Sequence, residues 1–204
     1  QLMQRGAHVA TLRAADGEAR DVLIEPVDKA PLNLIIFGGG HVGRACTEVF
    51  ATLDANITVV DSRHEYIDHA WPAAVTAMYA QQPEDFVALA PSQAYFLVMT
   101  HDHALDLRLC HAILARRDRA FCGLIGSRSK QRRFEKRLRA MGIDDATLAT
   151  LTCPIGIPTI AGKQPGQIAI ATAAQILEHA QAVAASNTAP LRLTAGGNPT
   201  RPQG

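Results

Sequence analysis

The sequence predicts a doubly wound α/β fold with a mainly parallel sheet, preceded by a short segment that resembles a β-hairpin. Short apolar runs alternate along the 204 residues with segments of helical periodicity, which is the order of a parallel sheet. The first such run, Leu32–Phe37, is apolar over nearly its whole length, as a strand buried on both faces requires. A glycine-rich turn follows this run and leads into a helix with one apolar stripe.

The elements follow one another in a regular order. His8–Leu12 and Asp21–Ile24 form the predicted hairpin, with a turn signal at Asp16-Gly17, and Pro26 and Pro31 mark a linker. Further strands are predicted at Ile57–Val60, Val75–Tyr79, Ala94–Met99 and Ala120–Ile125. Helices are predicted over about 42–53, 83–89, 104–116, 129–141, 144–151 and 167–185. The stripe of the first helix consists of Val42, Cys46, Val49 and Leu53.

These elements divide the chain into three regions. Residues 1–31 form an N-terminal segment and linker, and residues 32–186 form the α/β domain. Residues 187–204 lack periodicity and are expected to be disordered. The chain has no initiator Met, which is expected of a chain that begins inside a longer protein.

Composition and charge argue against several classes of protein. The 20 basic and 19 acidic residues nearly balance, so charge does not indicate a nucleic acid or a membrane as partner. No apolar run approaches the ~20 residues of a membrane span, and residues 1–10 are too polar for a secretory signal. The four cysteines form no CxxC pair or His-Cys cluster, so we expect no metal site and a reducing cytoplasmic location.

The segment Gly38–Gly43 matches the pattern G-x-G-x-x-G between a strand and a helix, and Asp61 ends the next strand. Glycines let the backbone approach an anion, which then meets free N–H groups at the helix N-terminus. Asp61 is expected to accept hydrogen bonds from a ligand, and Arg63 is a candidate partner for an added phosphate. Alternatively, the glycines serve only strand–helix packing, and Arg63 is simply exposed.

Two further loops follow strands whose carboxyl ends share this edge. Thr100–His103 contains His101 and Asp102, which suit metal binding or proton exchange; in the alternative, Asp102 caps the next helix and the histidines are solvated. Gly126–Lys130 offers a serine cap at Ser127 with the cations Arg128 and Lys130, and predicts a second anion cradle.

The helix after Ser127 is strongly basic. Phe134, Leu138 and Met141 form one apolar stripe, and the remaining positions carry mostly arginine and lysine. A solvated face explains such a run, and a docking surface for an acidic partner is the functional alternative.

Cys153 stands apart from the other cysteines because it lies in a loop beside Pro154. A loop thiol near cations and helix N-termini is expected to be partly exposed and more acidic than usual, and is therefore a candidate catalytic group or soft ligand. The alternative is a small buried residue beside a rigid turn. Cys46, Cys110 and Cys122 are explained by packing.

The order of these motifs resembles the XdhC/CoxI family over roughly residues 32–180. The motifs are Phe37–Gly43, Val60–Arg63, Thr100–His103, Gly123–Arg128, Cys153–Gly156 and the closing helix from Gly162 to Ala174. The resemblance implies a Rossmann-like domain in an accessory protein, more a maturation factor than a catalyst. Such a protein binds molybdenum cofactor of the molybdopterin type, supports its sulfuration and inserts it into a xanthine dehydrogenase-like molybdoenzyme. A cysteine desulfurase and a second copy of the chain are the further partners that we expect.

The resemblance carries candidate cofactor-binding residues onto this chain by position. They are Gly38, Gly40, His41, Gly43, Asp61, Arg63, His101, Asp102, Ser127, Arg128 and Cys153. Gly39 stands where the family commonly has Ala, a change expected to be harmless. The Ser-x-Pro-Arg and Gly-Gly segments of the N-terminal domain usual in the family do not precede the linker. Two alternatives follow from the resemblance: the chain is a fragment, with 1–31 a remnant of that domain, or it is a shortened protein with impaired binding. Two other functions stay open, an NAD(P)-binding oxidoreductase and a nucleotide-sensing module without catalysis.

Overall fold

The computed structural model describes residues 8–13, 18–24 and 31–187. Its main sheet has six strands in the spatial order β5-β4-β3-β6-β7-β8, and every neighbouring pair is parallel. The strands are β3 (Leu32–Phe37), β4 (Ala55–Asp61), β5 (Val75–Tyr79), β6 (Tyr95–Val98), β7 (Phe121–Leu124) and β8 (Leu151–Thr152). From β3 at the sheet centre, β4 and β5 are added outward on one side. The chain then returns to the other side of β3, where β6, β7 and β8 are added outward in the opposite direction. This arrangement confirms the predicted Rossmann-like α/β fold.

Helices connect the strands. They are α1 (His41–Phe50), α2 (Phe86–Leu89), α3 (His103–Ala115), α4 (Arg128–Ala140), α5 (Asp145–Leu148) and α6 (Pro165–Asn187), with short 3₁₀ turns at His64–Tyr66 and Pro83–Asp85. The predicted bounds hold to within three residues. The predicted helix over 144–151, however, runs into another element: the helix ends at Leu148, and Leu151–Thr152 form a sixth parallel strand. Pairing of Thr152 with Gly123 stabilises the extended form, whereas so short a helix is marginal.

The central strands form the core. Leu34 to Phe37 are all buried, so both faces of β3 are covered, as their continuous apolar run predicts. Phe37 stacks on Phe96 of β6 at a centroid distance of 6.4 Å.

The predicted stripe of α1 is only partly right. Its buried residues are Gly43, Cys46, Thr47 and Phe50, whereas Val42 and Val49 are half-buried. Leu53 lies beyond the end of the helix. Close packing of Gly43 on the glycine loop turns the helix toward Thr47 and Phe50 rather than toward the two valines.

Among the described residues, 31–178 form one compact unit that contains the sheet, and 8–13, 18–24 and 179–187 belong to a second. In the second unit, β1 (His8–Arg13) and β2 (Ala19–Ile24) pair antiparallel with His8 opposite Ile24, which confirms the two predicted strands. The turn at Asp16-Gly17, Pro26 of the linker and the tail from residue 188 lie outside the described residues. Among the described helices, none combines the length and the apolar character needed to cross a membrane.

Candidate ligand site at the carboxyl edge of the sheet

The loops that carry the predicted site residues meet at one edge of the sheet. The glycine loop follows β3 and the Thr100–His103 loop follows β6, its neighbour, where the strand order reverses. The backbone N–H of Met99 donates to the Phe37 carbonyl at 2.9 Å, which fixes the first two loops side by side. Likewise, Ile125 donates to Val98 at 2.9 Å and sets the Ser127 loop beside them. In sheets of this kind, this crevice is where ligands bind.

The glycines of the first loop have different roles. Gly38 has a φ of +113°, and a Cβ there would lie 2.5 Å from the Met99 carbonyl oxygen. A Cβ on Gly43 would overlap the Gly38 carbonyl oxygen, so helix and loop can approach only because residue 43 is glycine. Gly40 has no atom within 4 Å of its Cβ position. Packing therefore explains Gly38 and Gly43, and Gly40 faces open space.

Gly39, which stands where the family commonly has Ala, fits its place in this chain closely. A Cβ at residue 39 would lie 2.7 Å from the Tyr66 carbonyl oxygen. The turn after β4 packs directly on the glycine loop in this chain, and only glycine permits that approach.

The N-terminus of α1 is free to bind an anion. Gly40 is its N-cap and supplies no side-chain cap, and the first turn holds no acidic residue. Among the described residues, no acceptor lies within hydrogen-bonding distance of the N–H groups of Gly40, His41 and Val42. Three free donors at the positive end of a helix dipole are suited to binding an anion, and the exposed His41 lies beside them.

The carboxylate of Asp61 accepts hydrogen bonds from neighbouring residues of the chain. Its Oδ1 accepts from the backbone N–H and Nε of Arg63, both at 3.0 Å. Its Oδ2 accepts from Gly39 N and Arg63 Nη2, both at 2.8 Å. Burial raises the pKa of Asp61, but these hydrogen bonds from Arg63 and Gly39 outweigh burial and lower the pKa overall. The carboxylate therefore holds the glycine loop in place.

This arrangement bears on two of the sequence-based expectations. A carboxylate has about four lone-pair sites, and four protein donors occupy those of Asp61, so a ligand hydroxyl would have to displace one. Arg63 is engaged by Asp61 and lies 3.9 Å from the Tyr66 ring centroid, rather than standing free for a phosphate.

The loop after β6 matches the helix-capping interpretation. Asp102 accepts from the Ala104 N–H at 2.7 Å and caps α3, and this lowers its pKa. His101 and His103 are exposed at the mouth of the crevice. Over residues 8–13, 18–24 and 31–187, no group of three potential metal ligands comes together. Ligand contact by His101 or Asp102 stays a prediction.

The prediction of a second anion cradle at Gly126–Lys130 is partly wrong. Ser127 caps α4 as predicted and accepts from Lys130 N at 3.2 Å, and Arg128 is exposed beside it. Lys130, however, points into the protein, where its Nζ donates to Asp106 at 2.7 Å and to the Ile125 carbonyl at 2.9 Å. Its charge is neutralised inside the fold, so Arg128 alone remains as a cation for an anionic ligand.

Sequence reasoning missed Asp106. Its side chain is fully buried and also accepts from the Thr100 hydroxyl at 2.7 Å, so one carboxylate ties the loop after β6 to α4. The available signal was an acidic residue between Leu105 and Leu107, on a stretch of α3 that is otherwise apolar.

Cys153 departs from expectation. Its side chain is buried with 7% exposure, and Sγ lies 4.0 Å from the Ser127 carbonyl oxygen. Burial raises the pKa of this thiol to about 11, although Lys130 nearby pulls it down. The expectation of a partly exposed, acidic thiol is therefore wrong, while the position beside the Ser127 loop agrees with it. Cys46, Cys110 and Cys122 are buried, in agreement with packing roles.

The fold and this edge define a Rossmann-like α/β domain with a glycine loop that leads into an uncapped helix N-terminus. More specifically, the chain belongs to the XdhC family, because the XdhC Rossmann domain matches residues 34–176.

Two further comparisons identify similar proteins. The uncharacterized protein YqeB of Escherichia coli (strain K12) is 29% identical over 174 residues, which are 79% of this chain and 30% of YqeB. The chain thus spans less than a third of that curated relative. A crystal structure described as a xanthine dehydrogenase from Bacillus halodurans is similar with a TM-score of 0.64 and 23% identity, over 74% of this chain and 43% of that chain. This second likeness concerns the fold.

Proposed function

We propose that this chain is the ligand-binding part of an accessory protein that carries a molybdopterin-type molybdenum cofactor. It supports sulfuration of that cofactor and its insertion into a xanthine dehydrogenase-like molybdoenzyme. Membership of the XdhC family supports the accessory role. The observation that carries ligand binding is the uncapped N-terminus of α1, with the free N–H groups of Gly40, His41 and Val42 facing the crevice.

The donors at this edge fit the phosphate of such a cofactor. Backbone N–H groups and a helix dipole bind an oxyanion without needing a metal ion, and the missing side chain at Gly40 leaves room for it. Arg128 and the exposed His101 lie on neighbouring loops, where they can bind other polar groups of the ligand. When bound, the cofactor supplies the molybdenum chemistry, and this chain holds the cofactor and limits its contact with water. A buried, neutral Cys153 is a poor ligand for molybdenum until the loop moves.

The state of Asp61 favours this proposal over NAD(P) binding. Dinucleotide recognition relies on an acidic residue at this position to accept from a ribose hydroxyl, or on an arginine for an added phosphate. Here Asp61 and Arg63 bind each other and the glycine loop. A ribose hydroxyl would have to break charge-assisted hydrogen bonds, each worth about 1.5–3 kcal/mol.

The partners belong to the proposal as well. We infer a xanthine dehydrogenase-like molybdoenzyme as the recipient and a cysteine desulfurase as the sulfur donor, with self-association of the chain as a further expectation. Each follows from the family rather than from a surface described so far.

Native mass spectrometry tests the proposal directly. The chain is purified from a host supplied with molybdenum, and the mass of any retained ligand is measured. We expect a pterin-containing adduct that is absent from protein made in a host unable to synthesise molybdopterin. A nicotinamide nucleotide in its place would contradict the proposal, and so would failure to bind purified cofactor added in excess.

A further inference from the structure

Positive charge is concentrated on α4. Seven of the 20 basic residues and one of the 19 acidic residues lie in this helix, which gives it a net charge of +6. The other residues of the chain, with 13 basic and 18 acidic, therefore carry −5. A nearly neutral total thus hides a strong separation of charge.

Four cations form the outer surface of the helix, which we call the basic face: Arg132, Arg133, Lys136 and Arg137. All four are exposed. Of the other cations of α4, Lys130 binds Asp106 and Arg139 binds Asp145 at 2.6 Å, and Arg128 lies at the crevice end of the helix. Within the described parts of the chain, no carboxylate lies within 4.0 Å of a basic-face cation. The face therefore has no partner inside the unit.

The spacing of the basic-face cations opposes helix formation, although Arg137 in the last turn favours the helix dipole. Arg132 and Lys136 lie one turn apart, as do Arg133 and Arg137, and such like-charged neighbours destabilise a helix. The single acidic residue of the helix, Glu135, accepts a hydrogen bond from Gln131 at 2.9 Å. It forms no ion pair with a described residue that would offset the repulsion between these cations. No acidic residue in the first turn offsets the helix dipole either. A purely solvated face gains nothing from this arrangement, whereas a surface that binds an acidic partner does.

The surroundings of the basic face favour a protein as that partner. Phe134 and Leu138 point inward and are buried, so the helix has no apolar side to insert into a membrane. No aromatic side chain is exposed on α4 to stack on nucleic acid bases. Three of the four cations are arginine, which is enriched at protein interfaces. The net negative charge of the other residues also opposes binding along an extended polyanion.

We propose that the basic face docks an acidic surface of the protein that receives the ligand from this chain, an inference that rests on the proposed function. Helix α4 begins directly after its N-cap Ser127, which lies in one of the loops that line the crevice. A partner held on this helix therefore lies beside the mouth of the site. Its approach is steered by charge, and its orientation is set by the arginine positions.

Charge reversal with a matched control tests the docking surface. The full-length variant Arg133→Glu/Arg137→Glu is compared with Arg117→Glu/Lys163→Glu, which changes the net charge equally at exposed positions outside α4. Binding to an immobilised, cofactor-free xanthine dehydrogenase-like enzyme is measured by biolayer interferometry. We expect the first variant to lose at least about tenfold in affinity, mainly through slower association, and the control to change less than about twofold. Raising salt from about 50 to about 300 mM should weaken wild type more than the α4 variant.

Parallel measurements separate this inference from the proposed function. Equal loss in both variants, no capture of the enzyme by wild type, or tighter binding to a duplex oligonucleotide or to phosphatidylserine vesicles would overturn the docking surface. So would self-association, seen by sedimentation, that the α4 variant alone abolishes. Ligand retention by native mass spectrometry is recorded for each variant. Retained ligand with failed docking rejects this inference alone, and absent ligand rejects the proposed function.

Discussion

Lys130 and Asp106 form a buried ion pair with 2.7 Å between Nζ and Oδ2, and it joins α4 to α3 beneath the candidate site. The carboxylate is fully buried and the lysine side chain is 9% exposed. Asp106 also accepts from the hydroxyl and backbone N–H of Thr100, and Lys130 donates to the Ile125 carbonyl. Two loops of the crevice are thus fixed by one pair of charges.

Removing one partner should destabilise the fold strongly. Lys130→Met leaves the Asp106 charge buried without its cation, and we expect a loss of about 3–5 kcal/mol in the free energy of unfolding, measured in urea. The double variant Lys130→Met/Asp106→Leu should recover much of that loss, because no isolated charge remains. Arg132→Met, on the exposed side of the same helix, should change stability by about 0.5 kcal/mol or less. A single variant as stable as wild type would show that the pair is not formed in solution.

The glycine loop yields a second prediction. Gly43→Ala, whose Cβ would overlap the Gly38 carbonyl oxygen, should lower stability by about 1–3 kcal/mol through forced backbone shifts. Gly40→Asp should behave differently, since its position is open and Asp is a favoured N-cap. Urea unfolding should show equal or higher stability for this variant.

The ligand affinity of Gly40→Asp, unlike its stability, should fall. The new carboxylate would occupy the free N–H groups of α1 and repel an anion, so affinity for purified molybdenum cofactor should fall at least tenfold, about 1.4 kcal/mol. Gly40→Asn also caps the helix but carries no charge, and should lose less. If Gly40→Asp keeps wild-type affinity while folded, the anion site lies elsewhere.

The fold could be predicted because buried parallel strands produce continuous apolar runs, and Leu32–Phe37 is found where that pattern places it. The two-residue strand Leu151–Thr152 could not, because its pairing depends on β7 and leaves no periodic signal. The loops of the site were predictable from their place after strands. Their internal contacts were not, because Lys130 and Asp106 are 24 residues apart and only the packing of α3 against α4 brings them together. Likewise, the G-x-G-x-x-G pattern alone does not distinguish the packed Gly38 from the open Gly40.

Asp61 should make stability depend on acid pH. Its pKa is lowered in the folded state, so its contribution is present above the unfolded pKa of about 3.9 and is lost as the pH falls through the folded value. Between about pH 5 and pH 2, wild type should lose more unfolding free energy than Asp61→Asn, and the two curves should converge. At neutral pH the variant should be less stable by about 2 kcal/mol. Asp68→Asn, at an exposed carboxylate that follows the same turn, is the control, and its stability at neutral pH should change by about 0.5 kcal/mol or less. If the curves of unfolding free energy against pH run parallel for wild type and Asp61→Asn, the hydrogen bonds of the Asp61 carboxylate are not formed in solution.

Cys153 should react slowly in the native protein despite its place beside the site. Since burial raises the pKa of the thiol to about 11, almost none of it is thiolate at neutral pH, and thiolate is the reactive form. Alkylation by iodoacetamide at pH 7.5, followed by peptide mass spectrometry, should therefore label Cys153 far more slowly than in urea-unfolded chain. Cys46, whose pKa burial raises to about 12, serves as an internal reference and should be at least as protected.

Lys130→Met removes the cation that lowers the pKa of Cys153. In those molecules that remain folded, this substitution should slow labelling further rather than speed it. Rapid native labelling of Cys153 alone would show an open loop and an acidic thiol, and would restore Cys153 as a candidate ligand or nucleophile.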